Sequence, residues 1–188
     1  MKVSIDIPWN RYGLIAELTS RLKDRCPQFG KTILQKMVYL LQEVYGVKCG
    51  YQFDLYTYGP FTSQLLQDLD LVETLNGVRI SSVMSRAVGG YHIEPGERNE
   101  ELREKVGEFL GGADVSEAID NLIEHFGSFN AKELELLSTI VYVNRDMRDE
   151  GLSREDLIQM VSDVKPKFSR SEIDDAVSKL EAKDIVSS

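Results

Sequence analysis

Cysteine and histidine are scarce in this chain of 188 residues, which contains two of each. Cys26 and Cys49 share no metal-ligand spacing, and we interpret them as reduced, small apolar residues rather than as a disulfide or redox pair. His92 and His125 are far apart in sequence and lack cysteine or acidic residues at ligand spacing. The sequence therefore predicts neither a metal site nor a cofactor site.

Long apolar runs are also missing. No run approaches the roughly 18 residues that a membrane span needs, and the N-terminus lacks the continuous apolar segment of a signal peptide. Residues 1–7 alternate instead, which predicts a short strand. Because 42% of the residues are hydrophobic and 28% are charged, the composition is typical of a folded globular protein, and we expect a cytoplasmic one.

The whole chain has a net charge of −9, but its positive charge is concentrated in the N-terminal part. Residues 1–48 hold 8 Lys and Arg against 4 Asp and Glu, whereas residues 49–188 hold 14 against 27. This overall acidity opposes non-specific attraction to nucleic acid or to an anionic membrane. The residues that form a basic cluster against this trend are Arg21, Lys23, Arg25, Lys31 and Lys36.

The spacing of apolar residues in the first half predicts helices near residues 10–25, 31–45 and 61–75. An alternating aromatic strand is expected at 50–58, where Gly59 ends it and Pro60 starts the third helix. Asn76 is predicted as a helix C-cap rather than as a hairpin turn, and a strand pair follows it. The order helix, helix, strand, helix, strand, strand is that of a winged helix.

The second half is predicted to be helical from Pro95 onward. Three capping boxes mark helix starts, and they pair Asn130 with Glu133, Ser153 with Asp156, and Ser169 with Glu172. The predicted fold class is mainly α with a small β-hairpin (α+β). A winged-helix-like unit at 1–95 precedes a helical, helix-turn-helix-like unit at 96–188, and no strong linker prevents them from packing as one body.

Two stretches together carry a family resemblance. They are residues 31–41, KTILQKMVYLL, and residues 51–61, YQFDLYTYGPF. This pair resembles the YwgA-like family of uncharacterised prokaryotic proteins and, more distantly, is similar to the Panacea domain of toxin–antitoxin systems. The resemblance covers about residues 30–95. It implies a mostly helical fold, no catalytic residues and, from the Panacea relatives, neutralisation of a toxin by protein contact.

No catalytic or nucleotide-binding motif is complete in the sequence. Gly30, Lys31 and Thr32 match the end of a phosphate-binding loop, but Arg25 stands where that loop needs a glycine and Pro27 removes a backbone N–H. No Ser, His and acidic residues form a recognisable nucleophile motif. We therefore predict that the protein is not an enzyme.

The tetrapeptide at residues 58–61, Tyr-Gly-Pro-Phe, is the most distinctive in the chain. Its structural interpretation is a tight turn with packed aromatic rings. Its functional interpretation is a recognition surface, because aromatic and long polar side chains concentrate at interfaces. The candidate residues for that interaction surface are Gln35, Lys36, Tyr56, Tyr58, Gly59 and Pro60.

The third helix decides between two classes of function. Winged helices commonly dock it into the DNA major groove, but here it carries Asp68, Asp70 and Glu73 and no Lys or Arg. We therefore predict a non-enzymatic protein-interaction or regulatory module, antitoxin-like, that binds another protein either alone or as a homodimer. The alternative is a DNA-binding transcriptional regulator that docks through the basic cluster of the first two helices.

Overall fold

The computed structural model describes residues 7–84, 89–147, 151 and 153–186. Its first half contains α1 (Trp9–Leu22), α2 (Lys31–Glu43), β1 (Asp54–Tyr56), β2 (Gly59–Phe61), α3 (Ser63–Thr74), β3 (Val78–Met84) and β4 (Gly89–Pro95). Its second half contains α4 (Asn99–Lys105), α5 (Gly107–Leu110), α6 (Ala113–Phe126), α7 (Ala131–Asp146), α8 (Arg154–Val164) and α9 (Arg170–Glu181). The described chain is mainly helical with two small antiparallel hairpins, which confirms the α+β class. The strand expected at 1–7 falls almost wholly outside the described residues.

The central helix of the molecule is α2. Every residue from Ile33 to Leu41 is buried, because α6, α7 and β2 pack around the helix. The wide apolar stripe in the sequence indicated such a position. α1 packs against α3 and α4, and buried side chains from both halves belong to one hydrophobic core. The division into 1–95 and 96–188 stays a prediction.

The aromatic segment before α3 differs from its prediction. It does not form one strand over 50–58, because β1 and β2 form a hairpin in which Tyr56 pairs with Gly59 and Leu55 with Pro60. Gly59 reverses the chain at φ 88°, a left-handed conformation that favours glycine. Placing Pro60 in the first helical turn was therefore wrong. Proline is tolerated at an edge strand, and α3 begins only at Ser63.

The second hairpin follows α3 directly. Asn76 adopts φ 60°, and the N–H of Gly77 donates to the carbonyl of Val72 at 2.8 Å, so the predicted C-cap after this helix is confirmed. β3 then pairs with β4, from Val78 opposite Pro95 onward. The hairpin of β1 and β2 forms a separate two-stranded sheet.

The helical second half begins its last three helices at the predicted caps. The side chains of Asn130, Ser153 and Ser169 each accept a hydrogen bond from the backbone N–H three residues later, and the acidic residue there completes the capping box. α7, α8 and α9 pack against one another. No helix among the described residues is long and apolar enough to cross a membrane.

The two cysteines are free and buried, as the sequence suggested. Burial raises the pKa of the Cys49 thiol to about 12, and burial also raises the pKa of Cys26. Both side chains therefore stay protonated at neutral pH and act as small apolar core residues.

Candidate functional site at the tyrosine hairpin

The hairpin of residues 54–61, here called the tyrosine hairpin, brings the predicted interaction residues together. Tyr56 and Tyr58 expose 60% and 64% of their surface, whereas Gly59 and Pro60 beneath them are buried. The ring of Tyr56 lies against that of Phe61, with centroids 5.4 Å apart. Two large aromatic side chains are thus exposed on a turn that is followed directly by two buried residues, Gly59 and Pro60.

Lys36 supports this turn from below. Its ammonium donates a hydrogen bond to the carbonyl of Pro60 at 2.7 Å, and only 2% of the residue is exposed. Burial lowers the pKa of Lys36 to about 8; the charge of Glu135 opposes this shift and that of Lys165 adds to it. Adding a Cβ to Gly59 would place it 3.3 Å from Lys36 Cε, so glycine lets the two segments approach this closely.

Gln35 fixes the segment that joins the hairpin to α3. Its side-chain amide donates to the carbonyl of Thr62 at 2.7 Å and accepts from the Thr62 N–H at 3.0 Å. Gln35 and Lys36 therefore do lie at the hairpin, as predicted, but in the core. The predicted surface is corrected accordingly: Tyr56 and Tyr58 are its exposed part, and the other four residues support them.

The second half of the chain contributes a lysine that the sequence analysis missed. Lys165, in the turn between α8 and α9, is buried and donates to the carbonyls of Tyr56, at 3.2 Å, and Thr57. It also donates to Glu135 Oε1 at 3.1 Å. Burial lowers the pKa of Lys165, and its hydrogen bond to Glu135 opposes the shift. Lys165 therefore ties the tyrosine hairpin to the C-terminal helices.

Glu135 on α7 is the counter-ion of this arrangement. Its second oxygen accepts from Lys167 at 2.8 Å, and the Lys167 ammonium lies 5.2 Å from the centroid of the Tyr58 ring. A signal for Glu135 was present in the sequence, because Leu134, Leu136 and Leu137 flank it on a helix. A carboxylate on such a buried helix must be paired. Glu135, Lys36, Lys165 and Lys167 are called the lysine–glutamate cluster below.

The lysine–glutamate cluster has the chemistry of a support rather than that of a reactive centre. Within the described part of the chain, every buried side-chain nitrogen and oxygen has a hydrogen-bond partner. The ammonium groups of Lys36 and Lys165 face backbone carbonyls of the hairpin. The arrangement can hold the turn in one conformation, because buried charges with good partners cannot move away without a large desolvation cost.

The predicted basic cluster does not form one open surface, which corrects the alternative docking site. Lys36 is in the core. Arg21 binds Asp120, and Lys31 lies 3.9 Å from Asp70 with its ammonium over the Tyr91 ring. Lys23 and Arg25 are exposed after the end of α1. Only part of the cluster is therefore available to phosphates.

The acidic residues of α3 also differ from their expected orientation. Asp68 is buried, where it accepts from the Tyr51 hydroxyl at 2.7 Å and lies 3.7 Å from Arg11. Glu73 accepts from the backbone N–H of Ile80. Asp70 is the acidic residue that remains on the exposed face. The other exposed residues of α3 are Ser63, Gln64, Gln67, Leu71 and Thr74.

The remaining candidate features are the two histidines and a cavity beside Trp9. Across residues 7–84, 89–147, 151 and 153–186, no three His, Cys, Asp or Glu side chains come together as metal ligands do. His125 bonds to the Tyr45 hydroxyl at 2.8 Å, and His92 lies beside Glu94. A cavity of about 430 Å³ lies beside Trp9, whose ring is covered by the Lys105 ammonium at 4.3 Å.

Comparison with known proteins adds no assignment to this geometry. No protein-family model matches the chain, and no curated protein matches it. The resemblance to YwgA-like proteins and to the Panacea domain therefore stays a prediction.

Proposed function

We propose that this protein is a non-enzymatic protein-interaction module, of a regulatory and antitoxin-like kind, and that the tyrosine hairpin holds its partner. The observation that carries the proposal is the exposure of Tyr56 and Tyr58 on a turn whose backbone is bound from inside by Lys36 and Lys165. Tyrosine is enriched where proteins bind one another, because it offers a large apolar area and a hydroxyl.

Rigidity of the turn supports this proposal. A protein surface binds more tightly when its backbone and side chains lose little freedom on association. Gln35 adds two further hydrogen bonds where the hairpin enters α3, so both ends of β2 are held.

We propose a non-enzymatic function because the buried ionisable side chains at the hairpin contact the chain itself and not an open surface. Lys36, Lys165 and Glu135 are buried and directed at one another or at hairpin carbonyls. A lysine that acts as nucleophile or base must reach a substrate. These lysines instead bind the chain itself.

We further propose a winged-helix-like arrangement for the first half, in which α1, α2 and α3 are the three helices and β3 with β4 is the wing. The supporting observations are the order of the elements and the placement of this antiparallel hairpin directly after α3. The tyrosine hairpin is then an addition between the second and third helices.

The experiment is a tagged pull-down from the source cells at low and high salt. We expect the wild-type protein to retain a stoichiometric protein partner at high salt, and the Tyr56→Ala/Tyr58→Ala variant to lose it. Tyr91→Ala is the matched control, because Tyr91 is a tyrosine of the other hairpin that is also more than half exposed. Retention of the partner by the double variant, or recovery of nucleic acid alone, would contradict the proposal.

A DNA-binding regulator is the second candidate, and the exposed face of α3 favours it. Gln64 and Gln67 are exposed there, and Asp70 is its one exposed carboxylate. Lys23 and Arg25, exposed after the end of α1, could contact phosphates. Fluorescence anisotropy with duplex DNA would test it. Affinity that falls steeply with salt, and is lost on Lys23→Glu/Arg25→Glu substitution, would favour this candidate over the first.

A further inference from the structure

We propose that the partner segment at the tyrosine hairpin carries a carboxylate, which binds the backbone N–H groups of Thr57 and Tyr58 and the ammonium of Lys167. This inference rests on the proposed function and specifies the chemistry of the partner. Its evidence is the orientation of the turn backbone, two backbone N–H donors that have no acceptor in the described part of the chain, and the local charge.

The orientation follows from the contacts of Lys165. The carbonyls of Tyr56 and Thr57 both accept hydrogen bonds from this buried ammonium, so both oxygens point into the molecule. The described chain has no cis peptide bond, and in a trans peptide the N–H points opposite to the preceding carbonyl. The N–H groups of Thr57 and Tyr58 therefore point outward, and both residues are exposed.

These two donors are unused. In the described part of the chain neither the Thr57 N–H nor the Tyr58 N–H donates to a backbone or side-chain acceptor. Adjacent backbone N–H groups that face the same side form a concavity that binds anions. The half-exposed Lys167 ammonium lies 5.2 Å from the centroid of the Tyr58 ring, which is the side chain of the second of these residues.

The local charge favours an anion even though the whole chain is acidic. The lysine–glutamate cluster contains three ammonium groups and one carboxylate. Because two of these ammonium groups are buried, solvent screens their charge less than it screens charge at the surface. The lysine–glutamate cluster therefore carries more positive than negative charge, in contrast to a net charge of −9 for the chain.

The site fits a carboxylate better than a phosphate group. Lys167 is the one partly exposed ammonium of the cluster, and it already shares its charge with Glu135. One shared ammonium and two N–H donors suit an acceptor of single charge, whereas phosphate sites commonly use arginine forks or several cations. We therefore commit to an acidic peptide segment with apolar residues that pack on Tyr56 and Tyr58.

The test is an NMR titration of the ¹⁵N-labelled full chain at low ionic strength. The probe is a blocked peptide of Glu and Leu, and the comparison peptide has Lys in place of each Glu. We expect saturable shifts of the Thr57 and Tyr58 amide resonances with the Glu peptide. Lys167→Gln should weaken its binding about tenfold, because a charge-assisted hydrogen bond is lost.

Lys23→Gln is the matched control, since Lys23 is exposed and pairs with Asp24 rather than with the hairpin. It should bind the Glu peptide as the wild type does, and circular dichroism melts should show that both variants are folded. Unmoved Thr57 and Tyr58 resonances, or equal shifts with the Lys peptide, would overturn the inference. Tyrosine-dependent capture of a partner would then still stand, so the two failures are distinguishable.

Discussion

Lys36 shows how burial changes the role of a single charged side chain. In the sequence it belongs to a basic cluster and to a candidate surface. In the structure every residue from Ile33 to Leu41 is buried, and the Lys36 ammonium donates a hydrogen bond to the carbonyl of Pro60. Lys36 therefore supports the hairpin from inside and does not offer its charge to a partner.

The pH dependence of stability should reveal this burial. The folded pKa of Lys36 is about 8, below its ordinary value of 10.5. Between these values the unfolded chain holds a proton that the folded chain has released, so the contribution of Lys36 to the free energy of unfolding rises with pH. We expect wild-type stability relative to Lys36→Met to increase by up to about 3 kcal/mol across this window.

Urea unfolding of both proteins at about pH 7, 8.5 and 10 measures this difference. The tyrosines whose pKa burial raises, such as Tyr39 and Tyr51, titrate in both proteins. Their contribution therefore cancels in the comparison. A stability difference that stays constant with pH would contradict the assignment of a depressed pKa to Lys36.

Glu135 is the residue on which the charge balance of the hairpin depends. Glu135→Gln should lower the free energy of unfolding by about 3–5 kcal/mol, because it leaves the buried Lys165 ammonium without a counter-ion. Glu155→Gln is the control: Glu155 is exposed and pairs with Arg170 at the surface, so its loss should change stability by less than about 0.5 kcal/mol. Thermal melts compare the two, and equal effects would refute the role given to Glu135.

At the scale of elements, local signals predicted the helices better than the strands. The three capping boxes and the C-cap at Asn76 are short-range hydrogen-bond patterns, and each is where the sequence placed it. The aromatic run before α3 was ambiguous, because alternation over 50–58 fits one strand as well as half of a hairpin. The positive φ of Gly59 reverses the chain and makes this segment a hairpin, and composition alone does not reveal that angle.

Gly59→Ala tests the tyrosine hairpin as an element. The residue has φ 88°, and an added Cβ would lie 3.2 Å from Thr139 Oγ1 and 3.3 Å from Lys36 Cε. We expect a loss of about 2–3 kcal/mol of stability and faster hydrogen exchange of the hairpin amides.

Gly46→Ala is the matched control for this substitution. Gly46 also has a positive φ, 73°, but open space surrounds its would-be Cβ. Its substitution should cost only about 1 kcal/mol, which is the backbone cost without the steric one. Equal costs at both positions would show that the close approach at Gly59 contributes nothing.

At the scale of the whole molecule, both halves of the chain build the tyrosine hairpin. α6 and α7 cover α2, Lys165 donates to the hairpin from beyond residue 95, and Glu135 is the counter-ion of Lys165. A single hydrophobic core includes residues from both sides of that position. The exposed site consequently depends on contacts between segments more than 100 residues apart in the chain.

A fragment of residues 1–95 should therefore fail to fold by itself. Without the second half, α2 would expose the apolar side chains that α6 and α7 cover, and the hairpin would lose Lys165. We expect poor amide dispersion in NMR spectra of the fragment and one cooperative unfolding transition for the full chain. A well-dispersed fragment spectrum would show instead that 1–95 is an independent domain.

The sequence by itself determined the class of this protein: mainly helical, with two free buried cysteines and helices that begin at identifiable caps. These properties depend on neighbours a few residues apart, so periodicity and capping patterns reveal them. Tertiary structure alone decided which charges are exposed. Lys36 and Asp68 are polar residues that a sequence alone would place on the surface, and each is buried with a partner from another segment, Pro60 for Lys36 and Tyr51 for Asp68.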